Sequence, residues 1–127
     1  MSIAFTRYAI TPVAKPRMTQ RDKWQRRPAV LRYRAFADEV RRTVTLPALS
    51  EAWHIVFVLP MPASWSAKQK RDTNLTPHRG HIDLDNTLKA FLDALFPRGD
   101  QHIADVRASK LWGVRGEIWI RALEDWR

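Results

Sequence analysis

The chain contains no cysteine. That excludes a disulfide framework, a thiolate zinc site and a cysteine nucleophile. No apolar run approaches the ~20 residues that a membrane-spanning helix needs. The first residues lack the long apolar core of a secretion signal, so a cytoplasmic protein without membrane association is expected. Acidic residues are in deficit: 13 Asp and Glu stand against 22 Lys and Arg, a formal charge of +9. The chain is nevertheless no disordered basic tail, because it is 45% hydrophobic and holds six Trp. At 127 residues, one domain over 1–127 is the natural count, and it needs no metal or disulfide staple to fold.

The charge is localised. Residues 1–50 hold 11 Lys and Arg against 3 Asp and Glu, whereas residues 51–127 hold 11 against 10. Lys15, Arg17, Arg21, Lys23, Arg26, Arg27, Arg32 and Arg34 crowd into twenty residues, with Trp24 and Tyr33 among them. A local cationic excess is the electrostatic footprint of a nucleic-acid binder. A solvated basic face is the plainer alternative, and an acidic protein or anionic membrane fits the charge alone.

Patterning predicts an α/β (α+β) fold in the order β-α-β-(short α)-α-β-β: a small mixed sheet of about four strands with helices packed on it. Residues 3–10 read as a first strand and 11–27 as an irregular basic loop. A helix starts at Pro28, with Leu31, Ala35, Val40 and Val44 as its apolar stripe. Arg32, Arg34, Asp38, Arg41 and Arg42 mark its wet side, and Leu46-Pro47 stops it. Residues 52–59 read as a central strand. Residues 63–81 form a long basic linker carrying Lys68, Lys70, Arg71 and Arg79, with Ser64 or Ser66 capping one short helix. Leu84, Leu88, Phe91, Leu92 and Leu95 define a helix over 84–96. Residues 102–111 and 116–123 read as an antiparallel hairpin.

The segment that carries chemistry runs from His81 to Asp93. Asp83 and Asp85 sit two apart at the helix entry. With residue 83 extended, both carboxylates point one way while Leu84 points to the core. Asp85, Lys89 and Asp93 then form a row along one edge of the helix. Asp100 follows the helix, and chain reversal brings it beside the pair if the strands are neighbours. Three converging carboxylates call for a divalent cation, and hard oxygen ligands favour Mg²⁺ or Mn²⁺. Plainer readings stand beside this one. Asp83 or Asp85 caps the helix, Lys89 pairs with Asp85 and Asp93, and Asp100 is a turn residue. His78, His81 and His102 match no zinc spacing. Trp53, Trp112 and Trp119 fall in strand patterns and read as core or dimer contacts. Trp24 and Trp65 read as core, with base stacking as the alternative. Ser64 and Ser66 have no partnered histidine.

Asp83-Leu84-Asp85-Asn86-x-x-Lys89-x-x-x-Asp93-Ala94-Leu95, followed by Asp100 and Ile103, resembles the signature of RusA-type Holliday junction resolvases. These are small endodeoxyribonucleases commonly carried by phages and prophages. Lys15-Pro16-Arg17-Met18-Thr19, Asp22-Lys23-Trp24 and Arg27-Pro28 are similar to the basic N-terminal segment of phage-type members. The resemblance covers most of the chain. It implies a homodimer acting on four-way DNA junctions in recombination and repair, by Mg²⁺-dependent phosphodiester hydrolysis. It implies Asp83, Asp85 and Asp100 as metal ligands, with Asp105 as the substitute for Asp100, and Lys89 as a catalytic cation. Asp93 matches a recurrent position and reads as structural. Gly99 stands where many members have a first acid, and Ile82 where a basic residue is common. The expected phosphate contacts are Lys15, Arg17, Arg21, Lys23, Arg26, Arg27, Lys68, Lys70, Arg71 and Arg79. The rival from another class is a basic nucleic-acid-binding module without catalysis. A nuclease of the same fold for other branched DNA is the third reading.

Overall fold

The computed structural model describes residues 4–17, 27–45 and 52–123. Leu46-Pro47 and residues 18–26, with Arg21, Lys23, Trp24 and Arg26, lie outside them. The elements are β1 (Thr6–Tyr8), α1 (Pro28–Thr43), β2 (Ala52–Pro60), α2 (Ala67–Thr73), α3 (Leu84–Leu95), β3 (Asp105–Gly113) and β4 (Glu117–Ala122). They form one four-stranded mixed sheet in the order β1-β4-β2-β3, with helices packed on it.

Strand β2 organises the sheet. Ala52 to Leu59 are buried without a break, the signature of a strand covered on both faces and paired on both edges. It runs parallel to β3 and antiparallel to β4. The expected hairpin between the last two strands therefore does not form, because β2 lies between them. Pro60 faces Gly113 on one edge, and Val58 faces Glu117 on the other. The short link after Gly113 crosses the end of β2. It spans two strand spacings, about 9.6 Å, which four Cα steps of up to ~3.6 Å cover. A strand buried along its length, apolar but for His54, gains more from two partners than β3 and β4 gain from each other.

The N-terminal strand is shorter than the pattern implied. Thr6 to Tyr8 pair with Ile120 to Ile118; the chain then turns inward, burying Ile10 and Pro12. Gly116 lies against Thr11, where an added Cβ would stand 2.2 Å from the hydroxyl oxygen and 2.6 Å from Cα.

Helix α1 begins at Pro28 as expected, but its buried face is Val30, Tyr33, Phe36, Ala37 and Val40. Leu31 is 43% exposed, and Ala35 is exposed too. Val40 is buried and Val44 packs on the core as expected, but in the first half of the helix the stripe shifts from Leu31 and Ala35 to Tyr33 and Phe36, because two aromatic rings bury more apolar area than a Leu and an Ala. The arginines of the wet side stay exposed. Arg41 reaches across and donates from Nε to the Ala94 carbonyl at 2.9 Å, satisfying a helix-end acceptor.

Helix α3 follows its pattern closely. Phe91 and Leu92 are buried, and Leu84, Leu88 and Leu95 pack against the same core. Phe91 meets Phe57 of β2 edge-on, with ring centroids 5.9 Å apart. Both long helices share the sheet face made by Trp53, Ile55, Phe57, Ile118 and Ile120. On the other face Val56, Val58 and Trp119 cluster with Phe5 and Leu111. The Arg7 guanidinium lies 4.2 Å over the Trp119 ring and that of Arg121 lies 4.7 Å over Phe5.

The linker after β2 is tied down by hydrogen bonds at several points. Ser66 caps α2, its hydroxyl accepting from the Gln69 amide at 3.1 Å. Beyond α2 the chain follows the outer edge of β3. Leu75 N donates to Trp112 O at 2.8 Å, Trp112 N to Thr76 O at 3.0 Å, and His78 N to Lys110 O at 3.0 Å. This strap covers a sheet edge that would otherwise expose unpaired backbone groups.

Candidate active site

Helix α3 positions the two central carboxylates. Asp83 is its N-cap residue, with extended backbone (φ −75°, ψ 132°) and no side-chain capping hydrogen bond. The cap is made through the backbone instead. Thr87 donates to the Asp83 carbonyl from its amide at 3.0 Å and from its hydroxyl at 2.7 Å. Both groups of the buried Thr87 thus serve the turn, and the Asp83 carboxylate is left for other work. Its nearest described partner is the Asn86 side-chain amide at 3.5 Å, too long for a strong bond. Asp85 follows in the first helical turn, and both acids are exposed. The partial positive charge of the helix start stabilises both carboxylates.

Asp83 and Asp85 line one open cavity of about 520 Å³, with Ile82, Leu84, Ala108 and Lys110 among its walls. Among the described residues neither carboxylate has an ion-pair partner. The ion-pair reading of Asp85 with Lys89 therefore fails, and the capping reading holds in position only: Asp83 is the N-cap and Asp85 lies in the first turn, but no side-chain capping bond forms. Lys110, which the sequence pattern did not single out, is the cation beside them. Its ammonium donates to the Ile82 carbonyl, with Gly80 O at 3.5 Å. The signal was there: Lys110 occupies the apolar phase of β3, in line with Val106 and Ala108, where a lysine needs a reason.

Lys89 faces a second cavity, of about 380 Å³, shared with Lys15, Pro16, Arg17 and Asn86. Asn86 lines this basic cavity and reaches toward the acidic one only through its side-chain amide, 3.5 Å from the Asp83 carboxylate. Lys89 is exposed and pairs with neither Asp85 nor Asp93. Asp93 instead binds Lys15 in an ion pair. Lys15 N also donates to Asn86 O at 3.1 Å. The basic N-terminal segment is thereby docked along α3, with Lys15 as its pin. Asp93 is structural, as expected. Arg27 donates to Arg17 O at 2.7 Å, which braces the same segment.

Asp100 is not brought to the pair. It follows the turn closed by Gly99 N to Phe96 O at 2.9 Å, at the far end of α3. A twelve-residue helix is about 18 Å long. Asp105 starts β3 opposite Ala52, and it does not line the cavity either. Among the described residues no group of three or more His, Asp and Glu is placed to hold a metal ion.

The remaining basic residues scatter. Lys70 and Arg71 border a separate cavity of about 210 Å³ with Met61, Asn74 and Val114. Lys68 is exposed on α2. Arg79 alone of the linker cations comes near the carboxylates, bordering a cavity that shares Gly80 with theirs. The histidines do not assemble. His78 is buried and stacks on Trp112 at 3.8 Å. Its Nδ1 accepts from Gly80 N at 3.0 Å. Burial, then the Lys110 charge, pushes its pKa below the ordinary 6.5. His81 is exposed, and His102 packs edge-on against Phe96 at 4.7 Å. Among the described residues no helix is long and apolar enough to cross a membrane.

The sequence model of a family described as Endodeoxyribonuclease RusA matches residues 8–122. No curated protein of significantly similar sequence was found.

Proposed function

The chain belongs to the RusA endodeoxyribonuclease family, and from that premise we propose that it resolves four-way DNA junctions by Mg²⁺-dependent hydrolysis at Asp83 and Asp85. The observation that carries the proposal is the convergence of these two unpaired carboxylates on one open cavity, with Lys110 beside them. The donor set fits Mg²⁺, with Mn²⁺ as a substitute. Mg²⁺ is commonly held by one or two carboxylates, with waters and substrate phosphate completing its shell. Asp100 does not share the cavity, so the geometry supports a two-carboxylate set rather than a triad. A cation held there supplies a Lewis acid for the phosphoryl oxygen and lowers the pKa of water.

The chain's own residues do the rest. Asp83 and Asp85 would hold the cation at the helix start, which lets the phosphodiester sit beside two carboxylates that otherwise repel it. Lys110 on β3, beside the carboxylates, and Lys89 on α3, in the neighbouring basic cavity, offset phosphate charge. The docked Lys15–Arg17 segment, with Arg79 on the opposite side, extends the cationic surface along which a strand runs. A homodimer belongs to the proposal, because two nicks related by the junction's symmetry require two centres at a fixed separation.

The test is cleavage of a labelled four-way junction with Mg²⁺ and with EDTA, by the wild type and by Asp83→Asn. Paired symmetric nicks that need both Mg²⁺ and Asp83 are expected. Junction binding should persist or tighten in Asp83→Asn, because a charge that repels phosphate is gone. Tight binding with no cleavage in Mg²⁺ or Mn²⁺ would refute the proposal in favour of a non-catalytic binding module. Equal cleavage of flaps and forks would widen the substrate class.

A further inference from the structure

Strand β3 presents Ala108, Lys110 and Trp112 on one face. The first two line the carboxylate cavity. Trp112 lies two residues further on, about 7 Å along the strand. It opens onto the neighbouring cavity of about 570 Å³, lined by Thr73, Thr76, Pro77, Arg79, Gly80 and Trp112. Gly80 is common to both cavities.

The indole is held in one orientation. His78 stacks at 3.8 Å, and Trp65 packs at 4.8 Å with a 54° tilt. The strap 75–78 is hydrogen-bonded to the amide and carbonyl of Trp112 itself and to the carbonyl of Lys110. Gly80 is required beside it, since a Cβ there would stand 2.7 Å from the His78 ring. Trp112 is half-buried although it sits among these partners, so part of the indole faces the cavity. The slot thus combines a fixed aromatic wall, a proline ring, two threonines and one arginine at the rim. Flat apolar walls with hydrogen-bonding groups at the edges match an unstacked nucleobase. A phosphate alone would need cations, and the slot has one.

We propose that this slot receives the nucleobase of a nucleotide flanking the scissile phosphate, displaced from its stack. The inference rests on the function proposed above, and it adds a base-holding site beside the carboxylates. Such a site gives the enzyme a handle on DNA that is already unpaired or strained, where unstacking costs least.

The experiment is a coupling cycle between protein and DNA. Four-way junctions carrying a single abasic site at successive positions around the cut are bound in EDTA, so that the substrate stays whole. The proteins are the wild type, Trp112→Leu, Trp112→Phe and Thr73→Tyr. Thr73→Tyr fills the slot from the end of α2 without removing the Trp65–Trp112–His78 packing, which guards against a variant that fails to fold. One abasic position is expected to weaken wild-type binding on the order of 10-fold. That penalty should largely vanish in Trp112→Leu and Thr73→Tyr and persist in Trp112→Phe. Equal penalties in all four proteins, with junctions still bound and cut in Mg²⁺, would overturn the base slot and leave the nuclease reading standing. A wild type that binds no junction would overturn both.

Discussion

The ion pair between Lys15 and Asp93 joins residues 78 positions apart and holds the basic segment on α3. Its side chains are 27% and 33% exposed, between a surface pair and a buried one. Fully exposed pairs contribute about 0.2–1 kcal/mol, and hydrogen bonds to charged groups about 1.5–3 kcal/mol. An intermediate cost of about 1–2 kcal/mol is therefore expected for Asp93→Asn. A chain of this length has an unfolding entropy of roughly 0.27 kcal/mol per kelvin at Tm, so the variant should melt about 4–7 °C lower. Lys15→Met keeps an unbranched side chain of similar length and removes the ammonium, with its place 5.7 Å over the Tyr33 ring. The double variant isolates the pair, with an expected coupling of about 1 kcal/mol that shrinks as salt is raised. The assay is urea or thermal unfolding of the four proteins at low and high salt. Strict additivity at low salt would refute the reasoning. The segment would then be held by buried Ile10 and Pro12, the Lys15 N to Asn86 O hydrogen bond and the Arg27 brace on Arg17 O.

His54 lies buried between Arg107 and Arg121, its Nε2 3.1 Å from the Ser109 hydroxyl. Burial, then those two guanidinium charges, depresses its pKa below 6.5. Below about pH 6.5 the unfolded chain takes up a proton that the folded chain refuses, so stability falls as the pH drops through that window, by up to ~1.4 kcal/mol per pH unit. His54→Gln should flatten the decline in Tm between pH 7.5 and 5.5; parallel curves for the two proteins would count against it. Gly116→Ala should lose about 1–3 kcal/mol in urea unfolding, because the new Cβ meets the backbone of Thr11 as well as its side chain.

The sequence carried the local facts of the site. The Asp83-Leu84-Asp85 spacing at a helix start predicted two carboxylates on one side with Leu84 turned to the core. The 84–95 periodicity fixed which face of α3 is buried. Both are decided within a turn or two of chain, by dihedral preference and hydrophobic period. Pro28, Ser66 and the apolar run of β2 were legible for the same reason. The family match agrees with the resemblance carried by the acidic segment and the basic residues before α1.

What failed were readings that depend on partners distant in sequence. A short link between two strands looked like a hairpin, yet β2 took an edge of each. The first half of the α1 stripe shifted because Tyr33 and Phe36 found room against α3 and the sheet, an outcome no local pattern weighs. Asp100 looked close to the acidic pair in sequence, but the length of α3 separates them. Trp112 was legible as a strand residue and Lys110 sat in the apolar phase of β3, but only the placement of β3 alongside the start of α3 put Lys110 beside the carboxylates. By itself, the sequence determined the element types, the acidic pair and the cationic bias, because these are properties of neighbouring residues. Only the tertiary structure decided which strands pair, which lysine faces the carboxylates and where the basic segment docks, because those follow from competition among non-local contacts for the same sheet and helix edges.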